Sequence, residues 1–352
     1  MVSTDGALPL PWLAPLLRQT LQSQQAHALL LHGPQGVGQF ELATTLAQAW
    51  LCEAAQAEAR PCGVCASCRL VQAKSHPDLL VLIPEALQPA LGWGAAEADE
   101  AATERASKAK PSQEIKVEAV RRAVNFAQIT SARGRGKVVV LHPAERMNGI
   151  SANALLKTLE EPVGGTRFLL SCAAPEALLP TVRSRCQRIT MSLPPADEAT
   201  AWLAGQGVTD AAVMLAAAGG QPQEALAWSQ QGIDAALWTR LPALVAQGLA
   251  QPIIAWPLAR VVDALQKLCH DSACVAAGAA TRYFPAASIA PGARPAALND
   301  WMGDLRRIAR HAEHPWNAGL VIESLVQQGQ RALAAATRRG PPKAGISVNS
   351  RA

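Results

Sequence analysis

Four short apolar runs alternate with helical patterns, and this alternation constrains the fold more than any other feature. The runs lie at 28–31, 79–82, 138–141 and 168–170. Each is apolar and bounded by turn residues, as is typical of strands buried on both faces. Strands that alternate with helices predict an α/β domain whose parallel sheet is doubly wound. A further short strand ends near Ile189.

The chain is predicted to be almost entirely helical beyond the adjacent prolines at 194–195. Alanine and leucine dominate this part, and both favour helix. A small helical unit is expected over 196–232 and further helices over 235–337. The candidate packing anchors there are tryptophans, namely Trp238, Trp256, Trp301 and Trp316.

Two segments have few apolar anchors. Residues 85–112 are rich in Ala, Glu, Lys and Gly and predict an extended, mobile surface insertion. Residues 338–352 are polar with adjacent prolines, and we expect a disordered tail.

Composition limits the function classes. The 352 residues carry a formal net charge of +5, which fits work near nucleic acid without proving it. We find neither a signal-peptide pattern nor an apolar run long enough to span a membrane, so we expect a cytoplasmic protein without a membrane partner. Eight cysteines in such a chain favour metal binding or free thiols over disulfides.

A glycine-rich loop follows the first strand and precedes a helical pattern. Strand, loop and helix are the context of a phosphate-binding loop, and the glycines Gly33, Gly36 and Gly38 are present. The lysine position of that motif holds Gln39, and the hydroxyl position holds Phe40. These departures favour a loop that keeps its turn without its chemistry over a working nucleotide site.

The strand at 138–141 also departs from the pattern of a phosphate-loop ATPase. An aspartate that holds magnesium and a glutamate that orients water should end this strand. His142 and Pro143 occupy those positions, and Glu145 comes two residues too late.

Four cysteines have the spacing of a structural zinc site. Cys52, Cys62, Cys65 and Cys68 form the pattern C-x9-C-x2-C-x2-C. Four thiolates complete a tetrahedral shell and leave no open position, so the pattern predicts a fold-stabilising zinc module at 52–68. Free thiols or a redox pair are the alternatives. The remaining cysteines are expected to be small buried apolar residues, namely Cys172, Cys186, Cys269 and Cys274.

Other polar residues allow a structural interpretation beside a functional one. His76 precedes a strand alone and is more typical of a hydrogen-bonded structural residue than of a ligand. A modest basic patch is either a contact for an anionic partner or a solvated face; its members are Arg121, Arg122, Arg133 and Arg135.

The stretch 151–186 combines a helix, a buried strand and a basic tip. Glu160-Glu161-Pro162 ends the helix, since proline cannot continue it. The tip carries Arg183 and Arg185.

These motifs together resemble the bacterial DNA polymerase III clamp-loader family of AAA+ proteins. The most specific are NALLKTLEEP at 153–162 and SRC at 184–186, with the glycine loop, the cysteines and His-Pro-Asp at 76–78 in support. The resemblance covers most of the first 230 residues. It implies an AAA+ ATPase-like domain over 1–192, a helical lid over 193–234 and an all-α C-terminal collar over 235–337 that oligomerises.

The resemblance also implies roles for single residues. Motor subunits of the family, gamma or tau, use a lid arginine at the position held by Gln223, so the lid departs from the ATPase pattern as the loop does. The arginine of SRC reaches the ATP site of a neighbouring subunit, which makes Arg185 the candidate arginine finger acting in trans. A structural salt bridge is the alternative for Arg185, and Arg183 is a weaker candidate.

We weigh three functions. The first is a non-catalytic clamp-loader subunit, accessory to a DNA-directed DNA polymerase, with gamma/tau and delta subunits as partners and the sliding clamp and primed DNA reached through the complex. It would bind structural zinc and hydrolyse no ATP itself. The second is an active gamma/tau-like ATPase. The third is a zinc module that binds nucleic acid alone, for which the basic neighbours Arg60 and Arg69 are few.

Overall fold

The computed structural model describes residues 1–23, 26–93, 111–311 and 316–334. They form two compact units, one made of 1–208 with 220–227 and the other of 209–219 with the residues from 228 onward. The predicted tail at 338–352 and most of the predicted insertion, 94–110, lie outside the described residues.

The first unit is built on a five-stranded sheet in which every pair of neighbours is parallel. The strand order is β2-β3-β4-β1-β5. The strands are β1 Ala28–His32, β2 Leu79–Leu82, β3 Val138–Leu141, β4 Arg167–Cys172 and β5 Gln187–Thr190. Phe168 lies opposite Ala28 on one side and Val139 on the other, which places β4 at the centre. The predicted parallel sheet is confirmed.

Helices surround this sheet. They are α1 Leu13–Ser23, α2 Gln39–Leu51, α3 Ala66–Gln72, α4 Gln88–Leu91, α5 Val117–Gln128, α6 Gly149–Glu160, α7 Pro180–Arg183 and α8 Ala196–Gly205. Helix α5 ends at Gln128, and Ile129 directly after it is 64% exposed. Residues 85–91 are helical rather than extended, and Glu85 pairs with Lys116 at 2.6 Å.

The alternation of side chains along β1 explains the double winding. Ala28 and Leu30 belong to one buried cluster, which includes side chains of α5, α6 and α7. Leu29 and Leu31 belong to the other, which includes side chains of α1, α2 and α3. Successive residues of a strand point to opposite faces, so a strand covered on both sides must be apolar throughout.

The second unit is helical in its described part. Its helices are α9 Ala211–Ala217, α11 Ala235–Ala246, α12 Leu258–Ala276, α13 Pro295–Arg310 and α14 Ala318–Leu333, and α10 Pro222–Gln230 begins in the first unit and ends in the second. Trp238 is fully buried and stacks on Phe284 at 4.6 Å, and buried Trp301 donates to the carbonyl oxygen of Leu325 at 3.1 Å. Trp316, by contrast, is 39% exposed.

No helix within the described ranges has both the length and the hydropathy that a membrane span requires.

Candidate functional site

The glycine loop joins β1 to α2, and the Gln39 side chain forms hydrogen bonds with the backbone of this loop. The Gln39 side chain is buried and its Nε2 donates to the carbonyl oxygens of Gly33, at 2.9 Å, and Pro34, at 2.5 Å. A phosphate-binding loop carries a cation at this position, whereas the amide of Gln39 is neutral and bonded to the loop itself. The end of β5 passes so close that a Cβ on Gly33 would lie 2.2 Å from the Met191 carbonyl oxygen.

An aromatic contact lies beside the loop. The Phe40 ring is 4.9 Å from the His142 ring, which follows β3. His142 Nδ1 lies 3.0 Å from the Ser171 hydroxyl, and burial lowers the pKa of His142 to about 4. The imidazole is therefore neutral near pH 7, and the pair supplies neither the hydroxyl nor the carboxylate that a magnesium ion prefers.

Glu145 lies in the turn after His142, and its side chain forms hydrogen bonds with the backbone. Its Oε1 accepts a hydrogen bond from the N–H of Ala173 at 2.8 Å. Its Oε2 is buried without a hydrogen-bond partner in the described part of the chain. The carboxylate therefore secures the chain where β4 ends.

The start of α10 lies on the glycine loop within the first unit. The Gln223 N–H donates to the Gly36 carbonyl oxygen at 3.2 Å, and Gln223 Nε2 donates to Glu41 at 2.7 Å. A Cβ on Gly36 would lie 3.2 Å from the Glu224 nitrogen, and φ at Gly36 is +73°, so glycine suits this position twice over. The structure thus brings Gln223 to the loop.

Arg185 follows α7 and is bound to the end of α6. Its Nε donates to Glu160 Oε1 at 2.7 Å, and its Nη1 donates to the Thr181 carbonyl oxygen at 2.8 Å. The side chain remains 29% exposed. Sequence reasoning missed Glu160 as a partner, because its position before a proline indicated only the helix end. No hydrogen bond or ion pair in the described ranges joins Arg185 to the glycine loop.

The four cysteines at 52–68 converge. Their sulfur atoms all lie within 4.8 Å of one another, with Cys52–Cys65 and Cys62–Cys68 both at 3.9 Å. Backbone N–H groups donate to these sulfurs, among them Cys65 N to Cys62 Sγ at 3.4 Å. Burial alone would raise the pKa of Cys62, but backbone N–H groups and the thiols of Cys52 and Cys65 lower it to about 6. The cluster could hold a metal ion.

Gly63 and Gln72 connect the cysteine cluster to the N-terminal segment. A Cβ on Gly63 would lie 2.2 Å from the Ser3 carbonyl oxygen, and φ there is +74°. Gln72 Nε2 donates to the carbonyl oxygens of both Val2 and Gly63 at 2.9 Å. The glycine between two cysteines is therefore required by a close approach as well as by its turn.

A polar network joins the cysteine module to the sheet. Ser67 on α3 donates to Glu53 at 3.0 Å, and Arg133 Nε donates to Glu53 at 2.9 Å and to Ser67 at 3.0 Å. His76 Nε2 lies 3.1 Å from the Ser67 hydroxyl, and its Nδ1 accepts from the Asp78 N–H at 3.0 Å. His76 is therefore a hydrogen-bonded structural residue, and Arg133 belongs to this network rather than to a solvated patch.

Asp78 is the fully buried end of that network. Its carboxylate accepts from Ala132 N at 2.8 Å, Arg133 N at 2.9 Å and the Ser131 hydroxyl at 3.0 Å, and pairs with Lys137 at 3.4 Å. Burial alone would raise the pKa of Asp78, but these donors together lower it.

A second group of potential metal ligands lies on α12. His270, Asp271 and Cys274 come within 4.8 Å of one another. Asp271 is fully buried, and its carboxylate accepts from the backbone N–H groups of residues 282–284 at 2.8–3.0 Å. That carboxylate is occupied by the loop that it secures. The prediction that Cys274 is buried is wrong, because its sulfur lies at the partly exposed helix face beside His270, whereas Cys172, Cys186 and Cys269 are buried.

Comparison with known proteins identifies the family. A sequence-family profile described as "DNA polymerase III, delta subunit" matches residues 12–195, which is more than half of the chain. The chain belongs to this family.

Two named relatives are similar to part of this chain. DNA polymerase III subunit delta' of Pseudomonas aeruginosa is 40% identical over 228 residues, which cover 63% of this chain and 62% of the relative. DNA polymerase III subunit tau of Escherichia coli is 35% identical over 160 residues, which cover 46% of this chain and 20% of tau. The match thus spans about three fifths of the delta' relative.

One solved structure also aligns with most of the chain. A gamma subunit-related protein of Thermotoga maritima has 15% identity and a TM-score of 0.48, and the alignment covers 92% of this chain and all of that one.

The network at Asp78 gives a test of stability. We expect Asp78→Asn to lower the free energy of unfolding by roughly 3 kcal/mol or more, because the amide places donors against backbone N–H groups and leaves Lys137 unpaired. Asp263→Asn is the matched control; Asp263 is 45% exposed and pairs with Lys267, so we expect a loss below about 1 kcal/mol. Urea unfolding measures both, and equal losses would contradict the interpretation.

Acid should remove the Asp78 contribution. A carboxyl group whose pKa is lowered on folding stabilises the protein fully at a pH above the group's ordinary pKa of 3.8. This stabilisation is lost as the pH falls through the lowered pKa of the folded state. The stability difference between wild type and Asp78→Asn should therefore be largest near neutrality and shrink in acid. A difference that does not vary with pH would contradict this assignment.

Proposed function

We propose that this chain acts as a non-hydrolysing delta-prime subunit of the DNA polymerase III clamp loader and helps to load the sliding clamp onto primed DNA. Membership of the delta-subunit family and the delta' relatives support this role. The observation that carries the proposal is the glycine loop, whose lysine position is filled by the buried, loop-bonded amide of Gln39.

Three departures from the ATPase pattern argue against ATP hydrolysis by this chain. Gln39 supplies no charge to a β- or γ-phosphate, and Phe40 with neutral His142 supplies no magnesium ligand. Gln223 reaches the loop as an amide where motor subunits carry an arginine. Each change removes a different contact, and together they leave an ATPase-like fold without its chemistry.

Arg185 is the residue that we expect to act on a neighbouring subunit's ATP. A guanidinium brings a permanent charge and a planar set of donors to phosphoryl oxygens as their charge redistributes. In the isolated chain, the ion pair with Glu160 holds Arg185 at a partly exposed tip. Glu160 thus serves as a positioning residue, and Arg185 must exchange this carboxylate for phosphate in the complex.

Arg185→Ala tests the finger. The variant should fold and assemble normally, because the Glu160 pair is partly exposed and contributes little stability. The DNA- and clamp-stimulated ATPase of the loader reconstituted with gamma/tau and delta subunits should fall by at least about tenfold at the site that Arg185 completes. Steady-state ATPase measurements with equal amounts of assembled complex give this value.

Arg122→Ala, on the exposed face of α5, is the matched control and should leave the ATPase unchanged. Unchanged loader ATPase in Arg185→Ala would remove the finger role.

The cysteine cluster is the proposed site of structural zinc. Zinc–sulfur bonds of about 2.3 Å in a tetrahedron place sulfurs about 3.8 Å apart, and the pairs Cys52–Cys65 and Cys62–Cys68 lie at 3.9 Å. The backbone donors to sulfur suit thiolate ligands, and four thiolates leave no position for a reacting group. Zinc would tie α3 to the end of α2 and so hold Ser67 in the network with His76 and Arg133.

Metal analysis tests this site. The purified chain should contain about one zinc per chain, bound by four thiolates. Cys62→Ser should lower both the zinc content and the melting temperature, whereas Cys274→Ser, at a partly exposed cysteine outside the cluster, should change neither. Absence of zinc after purification under reducing, metal-replete conditions would exclude the assignment.

The remaining parts of the proposal rest on the family. The division into an ATPase-like domain, a lid over 193–234 and an oligomerising collar over 235–337 stays a prediction, as does a cytoplasmic location. The delta subunit, the sliding clamp and primed DNA are the further partners that we propose through the complex.

A further inference from the structure

A cavity of about 580 Å3 opens at the sheet edge opposite the glycine loop. The first residues of two strands line it, Val138 of β3 and Arg167 of β4. The glycine loop follows the last residue of β1, and all strands are parallel, so cavity and loop lie at opposite edges. None of the residues discussed for ATP chemistry lines this cavity.

The charged side chains that line the cavity are all basic. Arg60, Arg135, Lys137 and Arg167 contribute to its wall, and no acidic residue does so in the described part of the chain. Asp78 neutralises Lys137. Arg60 donates to the carbonyl oxygens of Ala54 at 2.8 Å and Ala55 at 3.1 Å, and no ion pair with another described residue neutralises its charge.

The Arg167 guanidinium has no hydrogen-bond acceptor among the described residues. Its guanidinium lies over the Trp50 ring at 4.7 Å, and no hydrogen bond or ion pair to another described residue involves it. The side chain is half-buried, and burial lowers the pKa of Arg167. A partly desolvated guanidinium with unused donors favours an anion that enters the cavity.

Backbone donors accompany these side chains. Gly134 and Gly136 have φ of +70° and +85° on either side of Arg135. Within the described ranges, no hydrogen bond uses the N–H groups of residues 134–136. A Cβ on Gly136 would lie 2.9 Å from the Gly165 carbonyl oxygen, so glycine lets two loops of the cavity wall approach each other. Unused N–H groups in a turn with left-handed residues are typical of anion-binding concavities.

We propose that this cavity binds a phosphoryl anion, with Arg135 and Arg167 as its principal ligands and Arg60 as a supporting charge. Paired guanidinium groups match the geometry of phosphate oxygens. The cavity volume falls in the range of small-ligand pockets. The cavity therefore admits a phosphate-bearing group up to about the size of a nucleotide, and it is too small for a nucleic-acid duplex. Free polyphosphate and the phosphates of a single strand share this chemistry. The site does not depend on the clamp-loader role.

Isothermal titration calorimetry on the full chain tests the site with two probes, inorganic pyrophosphate and the single strand dT6. The double variant Arg135→Gln/Arg167→Gln should bind at least about tenfold more weakly than wild type, because charge-assisted hydrogen bonds are lost. Arg121→Gln/Arg122→Gln makes the same charge change on exposed positions of α5 and should bind as wild type does.

Each outcome decides the proposal. Pyrophosphate binding that depends on Arg135 and Arg167 supports a free phosphate ligand, and dT6 binding alone with that dependence supports nucleic acid. The proposal is overturned if wild type binds neither probe. It is also overturned if binding survives the double substitution or falls equally in the control variant. The single variant Arg135→Gln, at an exposed side chain, must also weaken binding, so that a folding defect at Arg167 cannot imitate the result.

Discussion

The parallel sheet must be covered on both faces, and the rest of the first unit depends on this constraint. Residues 28–31 of β1 are buried, with alternate residues in two separate clusters. Parallel strands need a crossover connection between neighbours, so helices cover both faces of the sheet. Loops are then left to the two ends of the strands, which form the amino edge and the carboxyl edge of the sheet. The glycine loop with α10 lies at the carboxyl edge, and a basic cavity lies at the amino edge.

At the carboxyl edge, the side chains that make the contacts around the glycine loop are mainly uncharged. Gln39 bonds to the carbonyl groups of its own loop, Phe40 packs against His142, and Gln223 bonds to Gly36 and Glu41. None of these side chains supplies the cation or the magnesium ligand that an ATPase uses at these positions. We therefore propose that these contacts stabilise this edge and that Arg185 acts on ATP in a neighbouring subunit's site.

The sequence predicts those features that local patterns encode. Short apolar runs predict the strands, glycine spacing predicts the loop, and C-x2-C-x2-C predicts the convergence of Cys62, Cys65 and Cys68, which the structure brings together with Cys52. Contacts between distant segments leave no local pattern. Asp78 bonds to Ala132 across 54 positions, and Glu160 pairs with Arg185 across 25.

The basic cavity illustrates the same limit. Arg60, Arg135 and Arg167 come from three separate segments, and only the sheet order brings them to one edge. The sequence suggested a patch along α5 and the loop after it, whereas the structure assigns Arg133 to the network of Asp78 and Arg135 to the cavity.

ATP hydrolysis by the isolated chain tests the central claim most directly. With magnesium and saturating ATP, the purified chain should release no phosphate above the buffer rate, because Gln39, Phe40 and His142 supply none of the required contacts. Magnesium-dependent hydrolysis that falls when Gln39 is replaced by alanine would contradict the account and favour an active gamma/tau-like motor subunit.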